Sequence, residues 1–122
     1  MTDRVVEGPP DWAELLTGRG DPGSGALVVL TAAAGPLPAT GGGEVAAGAE
    51  DGTDRLLAEL EEEVLRVTGA RRCRIRLRPD APPGEPAVAV AVRAAHRREA
   101  FEAARGALSG VRARLPGGSD AP

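Results

Sequence analysis

The chain contains no lysine, asparagine, glutamine or tyrosine. Without lysine, side-chain amine chemistry is excluded, whether as Schiff base, nucleophile or proton shuttle. All 15 cationic side chains are arginines, which stay protonated at any working pH. Trp12 and Phe101 are the only aromatics, too few for a base-stacking platform. A net charge of -3 gives no electrostatic footprint for nucleic acid. Cys73 is the single cysteine, so an internal disulfide and a multi-cysteine zinc site are both excluded. The start, Met1-Thr2-Asp3-Arg4, lacks the apolar stretch of a signal peptide. The longest apolar run, Ala26 to Ala34, is far short of a membrane span. The expectation is a soluble, cytoplasmic protein that engages neither membrane nor nucleic acid.

What is present is a chain of 122 residues, enough for one domain with a modest core. Glycine and proline make 28 of them, so a sizeable part is loop or linker. The expected layout is a single domain over residues 1–116, with a flexible Gly/Pro/Ala-rich segment at 32–52 and a disordered tail at 117–122.

Pro10 to Leu16 reads as a short helix opened by proline and an acid. The turn cluster Asp21-Pro22-Gly23-Ser24-Gly25 feeds Ala26 to Thr31, an apolar run that reads as a buried strand. Val45 to Ala49 is at most a weak strand. Asp54 to Thr68 reads as a helix with Leu56, Leu57, Leu60, Val64 and Val67 on its apolar face. Glu59, Glu61, Glu62, Glu63 and Arg66 take its wet side, and Gly69 stands where a C-cap glycine belongs. Arg72 to Arg78 alternates strictly, Cys73, Ile75 and Leu77 against an arginine ladder on the outer face. Pro86 to Val92 is apolar on both faces, which makes it a central or doubly covered strand, in a hairpin with the one before. A last helix, from about Ala95 to Leu115, carries Phe101, Ala104, Leu108, Val111 and Leu115 at three- and four-residue spacing. Gly106 and Gly110 weaken it but mark a packing face. This order of elements is α+β, a small antiparallel sheet packed with helices.

The chemistry-bearing stretch is Val92-Arg93-Ala94-Ala95-His96-Arg97-Arg98-Glu99. A buried strand ends there and a helix begins, so His96 and Arg97 sit beside free backbone N–H groups and a partial positive charge. That is a candidate anion or phosphate site; solvated polar residues at a helix end are the alternative. Arg97 shares a helical sector with Phe101, Ala104, Leu108 and Leu115, which places it on the core-facing stripe and over the end of the sheet. Arg98, Arg105 and Arg112 make a second stripe along the rim, where arginine stems commonly cover apolar surface. Arg97 and Arg112 are separated by about 22 Å of helix, too far to hold one small ligand within a single chain. They serve different sites, or a second subunit completes the site. Cys73 alternates inward, so a core thiol is the reading; a Cys73–His96 pair is formally possible. No P-loop, dinucleotide fingerprint or metal-ligand cluster is present, and no cofactor or metal is expected.

From Gly84 onward the sequence resembles the catalytic subunit of molybdopterin synthase, the MoaE family. The likeness is carried by Gly84-Glu85-Pro86-Ala87-Val88-Ala89-Val90-Ala91-Val92, then Ala95-His96-Arg97-Arg98-Glu99-Ala100-Phe101-Glu102-Ala103, and continues to Leu115-Pro116. Weaker likeness covers Leu15-Leu16, Asp21-Pro22, Gly25 to Leu30 and the 54–68 helix. The resemblance implies the family's α/β hammerhead fold and a homodimer. It implies sulfur transfer from the C-terminal thiocarboxylate of a MoaD-like, ubiquitin-fold carrier to cyclic pyranopterin monophosphate, forming molybdopterin. It places His96 and Arg97 in the pocket for the anionic pterin phosphate.

Several positions depart from the family's pattern. Where members carry a Gly-Thr-Val-Arg-like motif with a substrate-binding arginine, this chain has Ala32-Ala33-Ala34-Gly35. Ala46-Ala47-Gly48-Ala49 replaces an aromatic and acidic segment. Arg112 stands at the family's first essential lysine, and Pro116-Gly117-Gly118-Ser119 replaces the Pro-x-Trp-Lys-like motif that holds the second. Arginine keeps the charge at position 112 without the proton chemistry. Impaired or lost catalysis follows as an expectation. Its rivals are a non-catalytic pseudoenzyme partnering a MoaD- or MoaE-type chain, and a repurposed domain for some other small anion.

Overall fold

The computed structural model describes residues 4–17, 23–33 and 50–114, with the side chains of 50 and 51 excepted. The readings for 34–49 and 115–122, including the weak strand, the tail and Leu115, lie outside the described residues. The elements are α1 (Trp12–Leu16), β1 (Ala26–Ala33), α2 (Glu50–Thr68), β2 (Arg72–Leu77), β3 (Pro86–Ala94) and α3 (Arg97–Arg114). The strands form one antiparallel sheet in the order β1-β3-β2. This is α+β, and the sequence hairpin is the β2–β3 pair.

β3 is central, as its two apolar faces require: Val88, Ala89, Val90, Ala91, Val92 and Ala94 are all buried. Cross-strand rows line the core face, Val28–Val92–Cys73 and Leu30–Val90–Ile75. Leu57, Leu60 and Val64 of α2 close over these rows, with Ala100, Ala103, Ala104, Ala107 and Val111 of α3. β1 is an edge strand rather than a buried one; Val28 is its one buried residue. It runs two residues into the segment read as linker, and α2 starts three residues before that segment ends.

Other expectations are corrected by the packing. On α2, Leu56 sits at the surface and Val67 is 72 % exposed, while Thr53 is buried one turn before Leu57. On α3 the core face is alanine, four of them fully buried, and Phe101 is 47 % exposed. Small side chains let the helix lie close to the sheet, which rotates the larger Phe101 outward. Gly110 does mark a packing face, because a Cβ there would stand 2.6 Å from Leu60 Cδ1. Gly106 faces open space.

The second sheet face is covered by α1. Asp11 caps that helix by accepting from the Glu14 amide at 3.1 Å. Leu15 is buried on Ala89 and Ala91, with Leu27 and Val29 beside them. The two middle rungs of the arginine ladder, Arg74 and Arg76, reach this cover. Arg74 donates to the Glu14 carbonyl at 3.0 Å and Arg93 donates to that of Leu16. These satisfy carbonyls that a helix end leaves without partners. Arg76 pairs with the Glu14 carboxylate at 3.2 Å. Arg78 pairs with Glu85 at 2.8 Å.

Glu61, expected on the wet side of α2, turns inward instead. It accepts from the β2 edge amide of Ile75 at 2.8 Å and bonds Arg4 Nε at 3.1 Å. Arg4 also reaches Asp54 at 3.1 Å. The hydrogen bond to Glu61, opposed by desolvation, raises the Arg4 pKa further above its ordinary value. Next to this clasp, Val5 bridges Leu77 in parallel. Glu61→Ala removes the acceptor of a half-buried amide, and about 1–3 kcal/mol of unfolding free energy goes with it. Urea denaturation measures that loss, and the exposed neighbour change Glu62→Ala stays within about 0.5 kcal/mol of the parent.

Candidate functional site

The candidate site is the junction where β3 passes into α3. Ala94 ends the strand fully buried, and His96 is the N-cap position, its carbonyl accepting from Ala100 N at 3.2 Å. The first helical residue is therefore Arg97, two later than the sequence pattern placed it. The strand fixes one side of this turn and the buried alanine face of α3 fixes the other. His96, Arg97 and Arg98 are all exposed, and none has an ion pair or side-chain hydrogen bond among the described residues.

The antiparallel order brings further cations to the same end of the sheet. β2 begins there, and Arg72 stands directly opposite Arg93 in the register. The pair sets two positive charges side by side at this end of the sheet, an arrangement that is unfavourable across strands. The start of β1 closes it. The Gly25 amide donates to the Ala94 carbonyl at 3.0 Å, and Gly23 lies against the Arg71 guanidinium.

Arg97 does not lie on the core stripe; it lies exposed at the margin of the buried alanine face. At about 100° per residue, Arg97, Phe101, Leu108 and Arg112 fall within about 60° of one another. Together they form an exposed or half-exposed ridge along α3, apolar in the middle and cationic at both ends. Arg98, Arg105 and Arg112, the rim stripe, are exposed as well. The structure does not bring Arg97 and Arg112 together, since an unbroken helix holds them about 22 Å apart. Phe101 is the residue the sequence pattern missed. Its spacing marks it as core, and the competing signal was the alanine run around it.

Cys73 is a core thiol. It is 5 % exposed, within the main hydrophobic cluster, and no hydrogen bond joins it to His96. Burial, helped by the charge of Glu61, pushes the thiol from an ordinary 9.0 to about 12. The thiolate needed for nucleophilic or metal chemistry is thus withheld at neutral pH. Among the described residues no group of three His, Cys, Asp or Glu could hold a metal ion. No helix there is long and apolar enough to cross a membrane.

The family model described as MoaE protein matches residues 47–114. The chain belongs to the MoaE family. Two solved structures share its fold. A molybdopterin synthase from Staphylococcus aureus superposes with a TM-score of 0.67 at 18 % identity, covering 93 % of this chain and 85 % of that one. A molybdopterin biosynthesis MoaE protein from Burkholderia ambifaria gives 0.68 at 21 % identity, covering 89 % and 74 %. No curated protein sequence matches the chain.

Cys73 gives a direct check on the packing of the core. Native protein at neutral pH leaves it unmodified by a thiol reagent, and denaturant exposes one reactive thiol per chain. The sign of the pH effect follows from the raised folded-state pKa. The stability this group contributes is intact below pH 9.0 and declines as pH rises toward about 12, because the unfolded chain loses the proton first. Chemical denaturation on either side of pH 9.0, compared with Cys73→Ala, isolates the effect.

Proposed function

We propose that this MoaE-family chain acts in molybdenum cofactor biosynthesis as the partner of a MoaD-like sulfur carrier, with sulfur transfer impaired. The observation that carries the reading is the exposed ridge of α3 on a MoaE-family fold. At roughly 3.3 Å per residue, its length suits about six or seven residues of extended chain. The carrier's C-terminal tail lies along the ridge, with Phe101 and Leu108 as apolar contacts and Arg112 supplying fixed positive charge. His96 and Arg97 hold the pterin phosphate at the junction with β3. The protein works as a homodimer in the cytoplasm; family members pair in that way, and a second chain would complete a pocket whose two ends one small ligand cannot span.

Impairment follows from chemistry. The family's first essential lysine is Arg112 here, and an arginine does not give up its proton. The whole chain has no lysine to substitute for it. Positioned proton transfer contributes about 10²–10⁴-fold to a rate, so the wild-type chain transfers sulfur slower than a lysine-bearing MoaE by a factor of that order. Its total loss would make the chain a pseudoenzyme that binds the carrier or pairs with a true MoaE chain. The missing lysine is the observation that favours this second reading.

A transfer assay with thiocarboxylated carrier and cyclic pyranopterin monophosphate tests the first reading. Arg112→Lys raises turnover in that assay; a wild-type rate equal to that of a lysine-bearing MoaE overturns the impairment. Carrier binding is measured separately by calorimetry. Phe101→Ala costs about 1 kcal/mol of stability, as suits a half-exposed ring, and weakens carrier binding about tenfold or more, the loss of a central aromatic anchor. Unchanged affinity removes the ridge from the reading. A protein that binds neither carrier nor MoaE chain defeats both readings.

A further inference from the structure

We infer that Gly25 is a positioning residue for His96 and Arg97, an inference that rests on the reading of their junction as the pterin-phosphate pocket. Gly25 immediately precedes β1, and its register neighbour Ala26 lies opposite Ala94. Its amide donates to the Ala94 carbonyl at 3.0 Å. The next carbonyl, that of Ala95, occupies the place where a side chain at position 25 would stand. An ideal Cβ there would be 2.5 Å from the Ala95 oxygen, and real Cβ contacts essentially never fall below 3.0 Å. Two successive carbonyls of the turn are thus held by one glycine, one by a hydrogen bond and one by close approach.

The geometry ties this contact to the site rather than to the core alone. Ala95 is the last residue before the N-cap, so the tilt of its peptide sets where the His96 side chain and the first turn of α3 point. The clashing atom is backbone, and it does not yield as a flexible side-chain tip would. Nor does the strand side absorb the change, because Ala94 is fully buried and paired to Ala26. A methyl at position 25 therefore moves the Ala95 carbonyl by half an ångström or more. That is the tolerance within which a binding constellation has to be held. The glycine two residues earlier is different. A Cβ at Gly23 would meet the Arg71 guanidinium, the mobile end of a long side chain.

The test compares wild type, Gly25→Ala and the control Gly106→Ala, whose new methyl meets nothing within 4 Å. NMR follows the His96 ring and the His96 and Arg97 amides, alone and through a titration with inorganic phosphate. Gly25→Ala is expected to retain cooperative unfolding, shift these signals before any phosphate is added, and bind phosphate about tenfold more weakly. Gly106→Ala is expected to match wild type at these signals and in affinity. Ala95→Gly provides a second arm if Gly25→Ala does not fold, since it loosens the same peptide without touching β1; it too is expected to weaken phosphate binding. Signals and affinity in Gly25→Ala that coincide with wild type overturn the inference, and so does wild-type phosphate binding in Ala95→Gly where Gly25→Ala is unfolded. If wild type itself ignores phosphate, the pocket reading fails, while the ligand-free shifts of Gly25→Ala, or of Ala95→Gly, still decide whether this contact sets the turn.

Discussion

The burial of β3 on both faces is the constraint from which the rest of the structure follows. A central strand with Val88, Val90 and Val92 on one side and Ala89 and Ala91 on the other must be covered twice. The larger residues take the two long helices, α2 and α3. The alanines leave a shallow face that the single Leu15 of a five-residue helix closes. Because β3 pairs with β1 from Pro86 to Ala94 and with β2 from Val88 to Arg93, its C-terminal end is a fixed point, and α3 starts from that point after a two-residue turn. The exposed cations at the junction owe their placement to this rigidity rather than to contacts of their own.

Much of this was legible in the residues. The double apolar alternation of β3 announced its central place, and the strict alternation of β2 assigned its faces correctly. Gly69 was legible for the same kind of reason; its φ of +80 is the left-handed conformation a helix C-cap uses. The failures are also physical. Phe101 was assigned to the core on size and spacing, yet close approach of helix to sheet rewards alanine and turns the ring outward. Glu61 reads as one of four solvated glutamates, because no local pattern reveals that the β2 edge needs an acceptor. The cover over the arginine ladder comes from α1, some sixty residues earlier, where short-range periodicity carries no information. Arg97 inherited the error made for Phe101, since its place was reckoned from the same stripe.

The lack of lysine divides the functional reading into two parts with different footing. Family and fold rest on backbone pattern and buried side chains, which an all-arginine surface leaves intact. The proposed chemistry rests on position 112, where a guanidinium keeps the proton that an amine could release. Arginine serves recognition of anions at least as well as lysine, by virtue of its planar, forked donors. On the proposed reading, the chain would keep cations suited to phosphate and carboxylate groups and lack the amine that the family's sulfur transfer uses.

The clasp made by Arg4, Asp54 and Glu61 also closes one margin of the sheet. On the β2 side, Val5 takes up Leu77 and Glu61 occupies the Ile75 amide, so an incoming strand finds those backbone groups already bonded. On the β1 side, no such cover exists among the described residues. The β2 margin is therefore sealed against extension by a carboxylate from a helix, a stopper that no strand of the sheet supplies.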